Sequence, residues 1–198
     1  MKIEFLTNNS LSFELANWLK DTAKEEVVIF DQKLTPKIIT QHSPDLVVSY
    51  NYKYIIPANI LMLLPNRFIN LHVSLLPWNR GADPNFWSFI DDSPKGVTIH
   101  LIDEGMDTGD ILLQKEVKFE EEKETLASSY NKLHQIIQDL FRENWMDIKD
   151  FKIQPQKQPK KGGSVHYLKD FSAIKGILGN EGWNISLPIL KKKYDELK

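Results

Sequence analysis

FINLHVSLLPWNRGADPNFW, residues Phe68 to Trp87, decides how this chain is read. It opens as a strand: Phe68, Leu71 and Val73 are apolar and Ile69 is β-branched, a composition suited to a pleated, buried position. Two polar side chains interrupt it, Asn70 and His72. They are two residues apart, so on a strand both point to the same face. A loop rich in Pro, Asn, Arg and Gly follows at once, and strand ends that run into such loops are where open α/β sheets place their chemistry.

Working outward toward the N-terminus, Lys2–Thr7, Val27–Phe30 and Asp45–Tyr50 read as three further short apolar strands. Helical segments separate them. Ser10 is positioned to cap a helix with Leu11, Leu15, Trp18 and Leu19 on one stripe. Thr35-Pro36 reads as an N-cap with Pro at the first helical position, in a helix ending near Ser43-Pro44. Pro57 opens a third helix carrying Ile60 to Leu64. Strand and helix therefore alternate, the signature of an α/β fold with a doubly wound, mostly parallel sheet. Thr7-Asn8-Asn9 follows the first strand where a dinucleotide fold would carry G-x-G-x-x-G, so a nicotinamide fingerprint is absent.

Downstream, Pro84–Ile90 reads as a helix and Lys95–Asp103 as an alternating strand. Glu104–Asp110 (EGMDTGD) is an acidic, Gly-containing loop, and Asp110–Phe119 is another strand; the two strands can pair antiparallel at a sheet edge. Thr125 to about Lys149 reads as one long amphipathic helix, with Leu126, Tyr130, Leu133, Ile137, Leu140 and Phe141 on its stripe. At Gln154 the composition shifts to QPQKQPKKGG, so a catalytic domain is expected over residues 1–153, with a linker and C-terminal extension over 154–198.

Composition narrows the function classes. The 198 residues are 41% hydrophobic, ample for a sizeable core, and the formal net charge of -2 argues against a dedicated nucleic-acid surface. There is no cysteine, hence no disulfide framework and no thiolate zinc site. No run spans a bilayer and no N-terminal signal stands out, so a cytoplasmic protein is expected, with no membrane partner.

The chemistry gathers on Asn70, His72 and Asp107. A polar residue on a buried strand is more often a satisfied core group than a catalyst, and Asp is a common turn former. If the sheet brings the acidic loop beside the fourth strand, however, the three converge. Such a set can run an acyl transfer without a covalent intermediate: Asn70 donating to the carbonyl oxygen, His72 stabilising the developing oxyanion, and Asp107 taking up a proton from an attacking amine.

The order Asn70-Leu71-His72-Val73-Ser74-Leu75-Leu76-Pro77, then Arg80-Gly81 and Pro84, then Gly96-Val97-Thr98-Ile99-His100 and Asp107-Thr108-Gly109-Asp110, resembles the 10-formyltetrahydrofolate-dependent formyltransferases. The match covers roughly residues 45 to 118. The resemblance implies a Rossmann-like formyltransferase fold, the catalytic trio Asn70, His72 and Asp107, and 10-formyltetrahydrofolate as donor. It implies a folate site built from Tyr52, Tyr54, Ile55 and Ile56 on one loop and Asp103, Glu104 and Gly105 on another. No metal is implied.

Within that family, Thr7-Asn8-Asn9-Ser10 replaces the phosphate loop of the glycinamide ribonucleotide enzymes. Arg80 to Pro84 has the R-G-A-x-P spacing shared with methionyl-tRNA formyltransferases, but the chain is short for their C-terminal barrel. Pro77 to Phe89 and Tyr52 to Pro57 are similar to sugar-nucleotide N-formyltransferases, and Gly162 to Tyr167 is similar to the segment after their core. The expected acceptor is a nucleotide-linked amino sugar, held by Trp78, Arg80 and Asn85, with a homodimer left open and nucleic acid not expected. The alternatives are a methionyl-tRNA type of formyl transfer, hydrolysis of formyltetrahydrofolate, a metal hydrolase using His72, His100, Asp103 and Asp107, and a non-catalytic binding module. His100 reads as structural.

Overall fold

A computed structural model describes residues 1–197. In chain order its elements are β1 (Lys2–Leu6), α1 (Phe13–Asp21), β2 (Glu26–Phe30), α2 (Pro36–His42), β3 (Leu46–Tyr50), α3 (Ala58–Leu61), β4 (Phe68–His72), β5 (Arg80–Gly81), α4 (Pro84–Ile90), β6 (Gly96–Leu101), β7 (Ile111–Glu116), α5 (Leu126–Glu143), α6 (Trp145–Lys149), β8 (Val165–His166), α7 (Leu168–Ile174) and α8 (Leu187–Asp195). Short 3-10 segments join some of them. The main sheet has six strands in the order β2-β1-β3-β4-β6-β7, and β5 pairs with β8 in a separate ribbon. None of the described helices is long and apolar enough to cross a membrane.

The chain divides into two compact units. The first holds Met1–His72, Ile99–Leu113 and Phe141–Lys157. Its β2, β1, β3 and β4 run parallel, with Phe5 paired to Ile29 and Val48, and Ser49 paired to Asn70. All five residues of β3 are buried, as a strand covered on both faces requires. Leu6, Leu34, Ile39, Val47, Ile56, Ile60 and Phe68 form one continuous apolar cluster over this sheet. Thr35 caps α2 as expected: its side chain accepts the Ile38 N–H, Pro36 stands in the first turn, and Ser43 closes the helix at φ 47°.

The second unit holds Val73–Thr98, Gln114–Leu140 and the chain from Gln158 onward. Its core is aromatic and aliphatic, with Phe86, Trp87, Phe89 and Ile90 of α4 packed against Leu126, Ile177, Ile185, Leu187 and Leu190. Every residue of α4 after Pro84 is buried, the polar Asn85 and Ser88 included, so this helix sits inside the unit rather than on its surface.

Several expectations are corrected. Asn9, not Ser10, makes the first cap: its side chain accepts the Leu11 N–H of a 3-10 turn, Ser10–Ser12, that precedes α1. Leu11 is consequently exposed, and the buried stripe is Leu15, Ala16 and Leu19. The long helix breaks into α5 and α6 at Asn144, which has φ -109° and ψ 11°; the Asp147 and Ile148 N–H groups both return to its backbone carbonyl, which restarts the helix there. The strand from Phe68 ends at His72, so Val73, the last residue of its apolar run, lies beyond it.

Candidate functional site

β6 is the element that builds the site in the first unit. The Ile102 N–H donates to the Phe68 carbonyl, and the Asn70 and His100 side chains meet farther along, so β6 runs antiparallel to β4. The Leu101 N–H then donates to the Asp110 carbonyl at the turn between β6 and β7. Cross-strand neighbours on one face lie within side-chain reach, which is why His100 stands opposite Asn70.

The geometry is that of a linked polar cluster. Asn70 Nδ2 lies 3.2 Å from His100 Nε2 and 3.2 Å from Asp107 Oδ1. His100 Nε2 is 3.4 Å from the same carboxylate oxygen, and His72 Nδ1 is 3.7 Å from Asp107 Oδ2. That last separation is an ion-pair contact and too long for a hydrogen bond. The rings of His72 and His100 stand edge to face, 6.2 Å apart. His100 Nδ1 is 2.7 Å from the Leu101 carbonyl, an acceptor only, so Nδ1 carries the proton. In the neutral ring Nε2 is then an acceptor, and Asn70 presents one amide hydrogen to it and the other to Asp107.

Asp107 is delivered by a loop that needs its glycines. Its backbone is left-handed, at φ 51°, a conformation stored at few non-glycine positions outside turns and functional sites. Asp103 Oδ1 ties the loop together by accepting from the Gly105 N–H at 3.0 Å and the Thr108 hydroxyl at 2.6 Å. A side chain at Gly109 would put its Cβ 1.7 Å from the Leu101 carbonyl oxygen. That carbonyl is the partner of His100 Nδ1, so Gly109 and His100 press on one atom from two sides.

The expected folate loop also lies in this unit. Thr7-Asn8-Asn9-Ser10 anchors it: the Asn8 N–H donates to the Asn51 carbonyl, and the Asn8 side chain accepts the Lys53 N–H, each at 3.0 Å. The Tyr52 hydroxyl donates to the Gln32 carbonyl at 2.6 Å and accepts the Leu34 N–H at 2.9 Å. Burial pushes its phenol above the usual tyrosine range, so it stays a neutral donor. Tyr54 stands edge-on to Tyr52, Ile56 is buried and Ile55 is exposed. Asp103, Glu104 and Gly105 are exposed on their loop.

In the second unit, Arg80 directs Nε and Nη2 to the Gln158 side-chain oxygen, at 3.2 and 2.7 Å. Trp78 is half-buried. Asn85 is buried, its amide nitrogen donating to the Leu126 carbonyl and its oxygen accepting from the Ser129 hydroxyl. So engaged, Asn85 holds α4 to α5. His100, expected to be structural, shares the polar parity of β6 with Thr98 and stands in the same cluster as Asn70 and Asp107.

The sequence pattern of the formyl transferase family matches residues 14–143. The chain belongs to the formyl transferase family. A solved formyltransferase relative, PseJ from Anoxybacillus kamchatkensis, captured with UDP-4,6-dideoxy-4-formamido-L-AltNAc and tetrahydrofolate, is 43% identical. The alignment covers 98% of this formyl transferase chain and 100% of that one, with a TM-score of 0.88. A sugar N-formyltransferase from Shewanella sp FDAARGOS_354 is 25% identical over 98% of this chain and 87% of its own, with a TM-score of 0.79. Methionyl-tRNA formyltransferase of Acetivibrio thermocellus is 35% identical over 79% of this chain and 55% of its own length. The chain thus spans about half or less of the length of the curated relatives it matches.

Proposed function

We propose that this formyl transferase moves a formyl group from 10-formyltetrahydrofolate to the amino group of a nucleotide-linked amino sugar. The observation that carries the reading is the 43% identity to PseJ, which extends over nearly the whole of both chains. The donor fits the first unit. Ile55 is 77% exposed on a loop whose backbone is tied at Asn51 and Lys53, an apolar surface that a flat ring can cover.

The donor supplies a formyl carbon bonded to a ring-linked nitrogen. The amine nitrogen lone pair forms the new C–N bond, the donor's C–N bond breaks, and the proton lost by the amine ends on the departing nitrogen. Asp107, in contact with both His72 and His100, is the base that holds that proton in transit. His72 offers an N–H to the oxygen that gains negative charge. In the resting arrangement both Asn70 amide hydrogens face His100 and Asp107. Donation from Asn70 to the formyl oxygen therefore requires one of these bonds to be shared. The acceptor amine must attack as a free base, so turnover falls at low pH.

The test is a formylation assay with the purified protein, a formyl donor, a panel of nucleotide-linked amino sugars and charged initiator tRNA. Formylation of a sugar is expected. The 35% identity to a methionyl-tRNA enzyme supports a second reading, and formylation of the tRNA with none of the sugars would replace the first by it. Calorimetry with 5-formyltetrahydrofolate checks the donor site separately, and absence of binding would overturn it.

A further inference from the structure

The segment Pro77 to Ala82 carries Trp78 and Arg80 but little regular structure of its own. Asn79 lies at φ 53° and Gly81 at φ 90°. What fixes it is a piece of chain some eighty positions later, beyond the residues that match the family pattern. The Arg80 N–H donates to the Ser164 carbonyl at 3.0 Å, and the Ala82 N–H to the His166 carbonyl at 2.9 Å. The Ser164 hydroxyl accepts the Asn79 N–H at 2.9 Å and donates to the Asn79 side-chain oxygen at 3.1 Å. His166 stacks flat on Trp87, with 4.1 Å between ring centroids, and its Nε2 lies 2.7 Å from Asp91 Oδ2.

The grip is specific. Gly163 adopts φ 93°, and a Cβ there would fall 2.5 Å from the Pro77 carbonyl oxygen. No other residue fits without moving the loop. The ribbon is only β5 and β8, two residues each. Two weak segments therefore hold each other, and a strand so short has no stability apart from these contacts.

We propose that Ser164 and His166 are positioning residues for acceptor recognition: they set the loop that presents Trp78 and Arg80, and so govern binding of the amine substrate and not of the folate. This rests on the functional reading above and on the expectation that Trp78 and Arg80 hold the acceptor. Holding such a loop in one arrangement removes an ordering cost that would otherwise oppose binding.

The experiment compares Ser164→Ala, His166→Phe and Ser164→Thr with the wild type, using whichever amine the wild type formylates. His166→Phe keeps a ring over Trp87 and loses the Asp91 contact. The two disruptive variants are expected to raise the acceptor KM by about tenfold or more, with kcat within about threefold and 5-formyltetrahydrofolate affinity within about twofold. Ser164→Thr, which keeps the hydroxyl, is expected to restore the KM. Hydrogen exchange at the Asn79, Arg80 and Ala82 amides should quicken in Ser164→Ala. An unchanged acceptor KM in both variants, or an equal loss of folate binding, overturns the proposal. A wild type that formylates no amine in the panel overturns the functional reading and this inference with it, so the two failures are distinct.

Discussion

Asn70 and His100 face each other across β4 and β6, amide nitrogen to imidazole Nε2, 3.2 Å apart. Because His100 is itself locked by the Leu101 carbonyl, the pair fixes which way the Asn70 amide points. Removing the imidazole frees Asn70 to rotate and deprives Asp107 of a neighbour on its Oδ1 side. His100→Ala is expected to lower kcat by roughly 10- to 100-fold, with 5-formyltetrahydrofolate affinity little changed; misplacement of a reacting group by about 1 Å has that scale of effect. Single-turnover formylation measures it, and a variant with wild-type kcat would show that Asn70 needs no such support.

The trio itself should be far more sensitive. His72→Ala and Asp107→Ala are each expected to reduce formyl transfer at least ~100-fold, the scale of losing one acid-base group. The double variant should lose less than the product of the two single losses if the residues act as a unit on the proposed proton path. Calorimetry with 5-formyltetrahydrofolate should still report binding, because the folate contacts are expected from other residues, Tyr52 to Ile56 and Asp103 to Gly105, and mainly from their backbone. Near-normal turnover in either single variant would remove that residue from the mechanism.

A buried histidine midway along α5 makes stability depend on pH. His134 is 2% exposed, packs against Tyr130, and burial lowers its pKa to about 4 from an ordinary 6.5. Between those values the unfolded chain binds the proton and the folded chain does not, so stability rises with pH across that window. The full contribution is present above about pH 6.5 and is lost as the pH falls toward 4. The loss at pH 4.5 is roughly 2–3 kcal/mol by the usual conversion. Urea unfolding of the wild type and His134→Met at pH 7.5 and 4.5 checks it: the variant should lose less stability on acidification, and equal losses would assign the acid sensitivity to other groups.

Much of this is legible in the sequence. Thr35-Pro36 and Pro84 announced their helices because capping and proline chemistry are local, and the period-2 spacing of Asn70 and His72 placed them on one face. Strand direction is not local. Nothing in Gly96–Leu101 states that it runs against β4, and that reversal is what sets His100 opposite Asn70. The cap at Asn9 turns on a side chain that takes a nearby backbone N–H, a task its neighbour Ser10 is chemically as able to perform. The contact between Arg80 and Gln158 joins residues 78 positions apart, a distance over which spacing carries no signal.

The glycine beside Asp107 offers a purely steric test. Gly109 has no positive φ to excuse it, yet a Cβ there would overlap the Leu101 carbonyl oxygen at 1.7 Å, and backbone must move to admit it. Leu101 is held on its other side by its N–H bond to the Asp110 carbonyl, so the strain passes to His100 Nδ1 and through it to Asn70. Gly109→Ala is therefore expected to cost about 1–3 kcal/mol of stability, in the range of overpacking a filled site. It should also reduce kcat, although it touches none of the trio. Gly176 is the control, since a Cβ there meets nothing within 4 Å, and Gly176→Ala should leave both quantities near wild type. Denaturant unfolding paired with the formylation assay gives both readouts. A Gly109→Ala enzyme as stable and active as Gly176→Ala would show that the turn holding Asp107 yields freely, and that the Leu101 carbonyl does not fix His100.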